Sequence, residues 1–307
     1  MPSGPWPLEP HPSLSRYWRF RFGEPVRRIS LDPGLSCPNR DGTKGTAGCV
    51  FCDPASFAPS AGDRRPVSEQ LADGIRRLRA KGIRRFAAYF QPRTNTYAPL
   101  QVLRSLWEQT AAFPGVVALC VGTRPDCVPD PVLDLLAGYA GRFDVWLELG
   151  LQSCRNDTLE RLGRGHTAED FADACRRAGA RGLKVCAHVI LGLPGESPAD
   201  ERETARFLAR LGVAGVKLHQ LSVVRATPLE AAWRRGELAV LSEDEYVGRA
   251  AAFIRELPPR TVIHRMVGDT LGDRLLAPRF DKHRVIRGIR GALAGRAGGT
   301  GAGPGAP

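Results

Sequence analysis

No stretch of this 307-residue chain approaches the ~18 consecutive apolar residues of a membrane-spanning helix, which excludes a helical membrane protein. Residues Met1–His11 hold four prolines and no apolar segment, so no export signal is expected and the chain reads as cytoplasmic. Lysine is scarce: 5 of the 44 basic residues are lysine and 39 are arginine. A codon bias toward Ala, Gly, Pro and Arg accounts for arginine over lysine. It does not account for 44 bases against 32 acids, a net charge of +12. That surplus suits a polyanionic partner such as a nucleic acid.

The cysteines lack close pairs, with one exception. Of eight, Cys120, Cys127, Cys154, Cys175 and Cys186 stand apart, and without an export signal they read as free thiols rather than disulfides. The exception is the run from Cys37 to Cys52, with Cys49 and Cys52 in a C-x-x-C turn and Cys37 eleven residues before Cys49. What this run lacks is a fourth ligand: along the chain the nearest histidines are His11 and His166. A structural zinc site takes four protein ligands, as does an electron-transfer iron–sulfur cluster. A centre held by three keeps one position open, as catalysis requires. The long loop costs roughly 1 kcal/mol of extra closure entropy against a short one, small beside metal–thiolate binding of about 10 kcal/mol. Gly42, Gly45 and Gly48 allow the backbone to turn tightly and approach a cluster.

Apolar residues make up 43% of the chain, enough for one large core. Apolar runs at Val26–Leu31, Arg85–Phe90, Val116–Val121, Val145–Gly150, Val185–Leu191 and Val216–Leu221 alternate with helical patterns near Ser68–Lys81, Pro99–Phe113, Asp130–Tyr139, Ala168–Arg181 and Pro198–Leu211. Alternation of this kind predicts an α/β fold with a parallel sheet covered by helices, in the form of a partial (β/α)6 TIM-like barrel with a C-terminal α+β extension. The expected divisions are an irregular tail at 1–13, the barrel at 14–241, the extension at 242–290 and a disordered Gly/Ala/Pro tail at 291–307. The extension is expected to hold a helix near Glu243–Glu256 and a strand at Thr261–Met266. The cysteine loop follows the first strand, on the end of a barrel where chemistry is carried.

Beyond the cysteine run, Tyr89–Pro99, Gly122–Cys127, Glu148–Ser153, Arg164-Gly165-His166, Gly192–Glu196 and Val262–Arg265 occur in order. With C-x-aromatic-C at Cys49–Cys52, this set resembles the radical S-adenosylmethionine superfamily, and within it a YhcC-like subfamily related to elongator-type and coproporphyrinogen-dehydrogenase-type enzymes. The match runs from about residue 14 to about 285. In one departure, the segment Arg279-Phe280-Asp281-Lys282-His283 is shorter than that subfamily's and lacks its tryptophans.

The resemblance implies a [4Fe–4S] cluster on Cys37, Cys49 and Cys52, with its unique iron binding the amino and carboxylate groups of S-adenosylmethionine. One electron from an external donor would cleave the sulfonium C–S bond and release a 5′-deoxyadenosyl radical. It implies further cofactor contacts: Glu148 and Gln152 for the ribose hydroxyls, Arg164 for the methionine carboxylate, Phe51 and Gly192 toward the adenine, and Gln91 at a strand end. Arg93, Asn95, Tyr97, Arg124 and Asp126 stand where substrate would lie, and His264, Arg265, Asp269 and Lys282 add polar groups in the extension. His219 reads as a satisfied core histidine or a substrate contact. No catalytic acid or base is singled out. With the basic charge, the subfamily resemblance implies transfer RNA as partner and remodelling of a wobble-uridine side chain, carboxymethylaminomethyl to aminomethyl. Two alternatives stay open: a radical enzyme acting on a small molecule such as a tetrapyrrole, and a zinc-bound, non-catalytic RNA-binding module.

Overall fold

A computed structural model describes residues 10–269 and 272–295. In chain order the elements are α1 (Leu14–Phe22), β1 (Val26–Leu31), α2 (Pro54–Phe57), α3 (Val67–Arg79), β2 (Arg85–Phe90), α4 (Leu100–Ala111), β3 (Val116–Thr123), α5 (Asp130–Ala137), β4 (Asp144–Gln152), α6 (Asn156–Arg161) and α7 (Ala168–Gly179). They continue with β5 (Lys184–Leu191), α8 (Pro198–Leu211), β6 (Gly215–Gln220), β7 (Val223–Val224), α9 (Pro228–Arg234), α10 (Glu243–Arg255), β8 (Val262–Arg265), β9 (Leu275–Ala277) and α11 (Lys282–Ala294).

The main sheet has seven parallel strands in the order β1-β2-β3-β4-β5-β6-β8. Its β/α alternation makes a partial barrel, as the sequence pattern predicts. The seventh strand is a correction to the expected six. The strand at Val262–Arg265 pairs with β6, so the segment 242–290 completes the barrel sheet rather than forming a separate layer. A helical crossover, α10, carries the chain back over the sheet to a parallel position. The expected tail at 291–307 is also shortened: α11 runs through Ala294, and residues 296–307 lie outside the described residues. Of the irregular tail at 1–13, residues 1–9 lie outside them too, while Ser13 caps α1 and bridges to Ile263.

Alternation along the strands divides the interior in two. One face, with Ile29, Phe90, Val121, Leu147, Val189 and Leu218, packs on the helices as the main core. Capping boxes at Thr167/Asp170, Ser197/Asp200 and Ser242/Glu245 fix the starts of α7, α8 and α10. The other face lines the barrel. Its lower end is plugged by α1, whose Tyr17 hydroxyl and Trp18 indole N–H both donate to Asp144 at 2.9 Å. Trp146 donates to the same carboxylate at 2.7 Å, and Lys184 pairs with it at 3.0 Å. A buried acid with these four donors around it is satisfied, and the barrel is closed at that end. Among the described residues no helix is long and apolar enough to cross a membrane.

Candidate active site

The barrel opens at the carboxyl ends of its strands into a cavity of about 210 Å3. Cys37, Cys49 and Cys52 all line it, on the loop that follows β1. The loop after α6 holds this segment in place. Asn39 Nδ2 donates to the Gly163 carbonyl at 2.7 Å, Val50 N–H donates to the Leu162 carbonyl at 3.1 Å, and Lys44 Nζ donates to the Gly165 carbonyl at 2.7 Å. Two donors aim at one sulfur: Arg164 Nη1 stands 3.2 Å and Asn39 Nδ2 3.3 Å from Cys49 Sγ. Burial pushes the Cys49 thiol up. Arg164, Asn39 and Arg124 outweigh it and hold the thiol below its ordinary pKa. Burial, and then the neighbouring Cys49, pushes Cys52 up to about 11.

Arg164 lies beside the cysteine loop at the cavity wall. Its three nitrogens are taken by Cys49 Sγ, the Gly150 carbonyl at 2.8 Å and His166 Nε2 at 3.1 Å. Burial and Arg164 lower the His166 pKa to about 3, so this ring is neutral and accepts the bond. Position 150 must be glycine for this arrangement: a Cβ there would lie 3.0 Å from Arg164 Nη2 and 2.9 Å from Gln152 Nε2. A bulge between Gly150 and Gln152 leaves Gln152 at φ 76° and lining the cavity. A non-glycine residue held in this conformation is strained, a cost met often at functional sites.

Phe51, Gln91, Glu148, Arg93 and Arg124 also reach the cavity wall. Gln91 donates to Ser30 Oγ at 3.0 Å. Phe51 joins a small apolar cluster with Leu162, Ile190 and Leu221. Gly192 follows β5: its N–H donates to Glu201 Oε1 at 2.7 Å, a Cβ there would strike Leu241 at 2.9 Å, and its φ is 82°. Asn95, Tyr97 and Asp126 lie behind the wall: Asn95 Nδ2 donates to the carbonyls of Phe90, Pro92 and Gly122, Tyr97 meets Thr43, and Asp126 pairs with Arg124 and Lys44.

Glu148 is the centre of a buried charge network rather than a free strand-end acid. It is 0% exposed and mid-strand in β4. Arg28 Nη2 lies 3.2 Å from Oε1, Lys217 Nζ 3.2 Å from Oε2, His188 Nε2 2.8 Å from Oε2 and His264 Nδ1 3.4 Å from Oε1. Burial pushes its pKa up, and Arg28, Lys217 and the histidine bonds overcome that and hold it well below the ordinary carboxylate range. Lys217 also donates to the Tyr89 hydroxyl at 2.6 Å, and burial brings its pKa down to about 8. Burial lowers His188 and His264 to about 4. Tyr89, His188 and Lys217 were not singled out by the sequence. The available signal was a lone polar residue at an inward position of an apolar strand, clearest for Lys217 between Val216 and Leu218. His219, Arg265 and Asp269 line the cavity, and Lys282 pairs with Asp269 at 2.7 Å.

Three thiols at the mouth of a partial barrel, above an internal polar wall, are the parts that the fold brings together. The Radical SAM superfamily domain matches residues 38–208, and the Radical_SAM C-terminal domain matches residues 213–294. The chain belongs to the radical S-adenosylmethionine superfamily. It is 43% identical to the protein YhcC of Escherichia coli strain K12 over 289 residues, covering 90% of this chain and 93% of that one. It is 28% identical to the tRNA uridine(34) acetyltransferase of Methanocaldococcus jannaschii over 186 residues, 55% of this chain and 34% of that one. Its fold is similar to that of the archaeal Methanocaldococcus infernus Elp3, at TM-score 0.63 and 18% identity over 89% of this chain and 63% of that one.

Membership brings a [4Fe–4S] cluster and S-adenosylmethionine as cofactors. The thiols present fit such a cluster. All three line one cavity from a single loop after β1, and among the described residues no fourth cysteine lines it. The zinc-module alternative gives way to the family membership, which brings an iron–sulfur cluster.

Proposed function

We propose that this enzyme remodels the side chain of the wobble uridine of transfer RNA, cutting the N–CH2 bond of the carboxymethylaminomethyl form to leave the aminomethyl form, with the two carbons released as an aldehyde acid whose new oxygen comes from water and the odd electron returned to the cluster. The observation that carries the reading is the likeness to a tRNA uridine(34) acetyltransferase over 55% of the chain. A net charge of +12 supports an RNA partner.

Cys37, Cys49 and Cys52 would hold the cluster and leave one iron open to S-adenosylmethionine; bound there, the pair supplies a 5′-deoxyadenosyl radical that abstracts hydrogen from an unactivated carbon. The chain's own residues prepare the site. Arg164 and Asn39 stabilise the Cys49 thiolate by hydrogen bonds at 3.2 and 3.3 Å. Gln152, on the cavity wall, would meet a ribose hydroxyl, Gln91 lines the same wall, and Phe51 offers a ring face for a base. The closed lower end of the barrel, with Asp144 and its partners, keeps water from entering behind the reacting groups. The five other cysteines stand apart in the sequence, and the electron comes from an external donor in the cytoplasm.

The test is nucleoside analysis of transfer RNA from cells with and without the protein. Loss of the aminomethyl form with accumulation of the carboxymethylaminomethyl form is expected. Unchanged wobble nucleosides, with a tetrapyrrole accumulating instead, would transfer the chemistry to a small-molecule substrate.

A further inference from the structure

The cavity wall carries more positive charge than its own acids balance. Arg28 and Lys217 are the cations against Glu148, and Arg265 stands beyond them, beside Lys217 and His219, while His188, His264 and His219 are held neutral by burial. Glu148 is thus shared by two cations, and the third has no acid of its own among the described residues. Arg28 pairs with Glu148 Oε1, and Lys217 shares Oε2 with His188. Arg265 lines the cavity with no hydrogen bond or ion pair among the described residues. The other acid on this wall, Asp269, is paired with Lys282.

The backbone places Arg265 there deliberately. Between β6 and β8 the register shifts after Val216↔Ile263, so that Lys217 pairs with Arg265 and His264 is skipped. Bulges of this kind re-aim a side chain beside a site. As a result Gly150, His188, Lys217 and Arg265 occupy one register row across β4, β5, β6 and β8. His264 turns inward to Glu148, and the guanidinium beyond it faces the cavity. Arg265 is partly exposed on this wall, so its guanidinium is open to a ligand that enters the cavity. The cofactor's own carboxylate would bind the open iron beside the cysteine loop, where Arg40, Arg124 and Arg164 line the cavity. The inner wall would then be left to a group carried in by the substrate.

We propose that Arg265 and Lys217 form a carboxylate-binding subsite on the inner wall, which recognises an acid group on the substrate side chain. The assignment rests on the wobble-uridine reading, and it names the residues that would select the acid-bearing form over its product. Arg265 presents the planar fork suited to a carboxylate, and Lys217 adds a point charge held by Glu148 and Tyr89.

The test uses the full chain with its cluster in place. Anticodon stem-loop RNAs with either a carboxymethylaminomethyl or an aminomethyl wobble uridine are titrated, and S-adenosylmethionine is titrated separately. The expected result is binding of the acid-bearing loop about ten-fold tighter than the amine. Arg265→Gln should erase that preference without altering affinity for S-adenosylmethionine, and Arg265→Lys should keep part of it. An unchanged preference in Arg265→Gln overturns the subsite. A parallel loss of S-adenosylmethionine affinity also overturns it, because the cations would then serve the cofactor. Failure of both loops to bind the unaltered protein counts against the RNA reading alone. The subsite is then read by ligand-detected NMR with N-methylglycine, methylamine and inorganic phosphate. Binding of the acid that disappears in Arg265→Gln sustains it; no acid binding, or equal binding of phosphate, overturns it.

Discussion

Arg164 Nη1 donates to Cys49 Sγ across 3.2 Å, and the same guanidinium is anchored on the Gly150 carbonyl at 2.8 Å. The cluster loop and the bulged end of β4 are thereby joined through one side chain. Hydrogen bonds to cluster sulfurs help set the reduction potential. Arg164→Gln should keep the iron and sulfide content of reconstituted protein but shift the cluster potential downward, read by potentiometric EPR titration. Cys49→Ala, which removes a ligand, should lose the cluster itself. Retention of a full brown chromophore in Cys49→Ala would refute the ligand assignment.

Glu148 is placed to hold the barrel together. Its removal leaves Arg28 and Lys217 buried beside each other without an anion. Breaking a buried pair from one side costs on the order of 3–5 kcal/mol. Glu148→Ala should therefore lower the denaturant midpoint sharply, with a loss of that size. A variant of normal stability that fails to bind S-adenosylmethionine would return Glu148 to the ribose.

Much of this architecture was legible from periodicity. The runs at Val26–Leu31, Arg85–Phe90 and Pro198–Leu211 appear with the bounds that the pattern predicts, because apolar strands and a capped, Pro-started helix carry their signals locally. The strand at Val262–Arg265 was also legible, but its place beside β6 was not, since parallel pairing across a helical crossover is a tertiary outcome. α1 went unread: nine residues with three arginines have a weak apolar stripe, and Tyr17 and Trp18 become core residues through Asp144. The cysteine loop was legible because ligand spacing is local. The inner wall was not, because the bulges that aim Gln152 and Arg265 leave no mark in sequence spacing.

Acid should weaken the fold well above the usual carboxylate range. Burial lowers His188 and His264 from 6.5 to about 4, so between those values the unfolded chain binds more protons than the folded one. Stability then falls as pH drops through that window, by about 1.4 kcal/mol per pH unit for each histidine. Glu148, held well below its ordinary value, acts in the same direction at lower pH. Urea midpoints measured from pH 7 to pH 5 should decline, and His188→Gln should flatten the decline. A flat profile in the unaltered chain would show that these rings are not buried neutral.

RNA binding should follow the salt dependence of a few phosphate contacts at the barrel mouth. Arg93 is exposed on the cavity rim, held at φ 68°, and Arg225 is exposed beside β7. If about five phosphates are neutralised, the slope of log K against log salt lies near −3.5 to −4.5, at ~0.7–0.9 per phosphate. Arg93→Gln should weaken binding of a transfer RNA and make the slope shallower by about one contact, roughly 0.7–0.9. A folded transfer RNA should bind more tightly than an unstructured RNA of equal length, because shape adds to charge. Filter binding across a salt series measures both. Equal affinity for the two RNAs would mean that charge alone draws them to the surface, and a slope unaffected by Arg93→Gln would move the RNA path away from the mouth of the barrel.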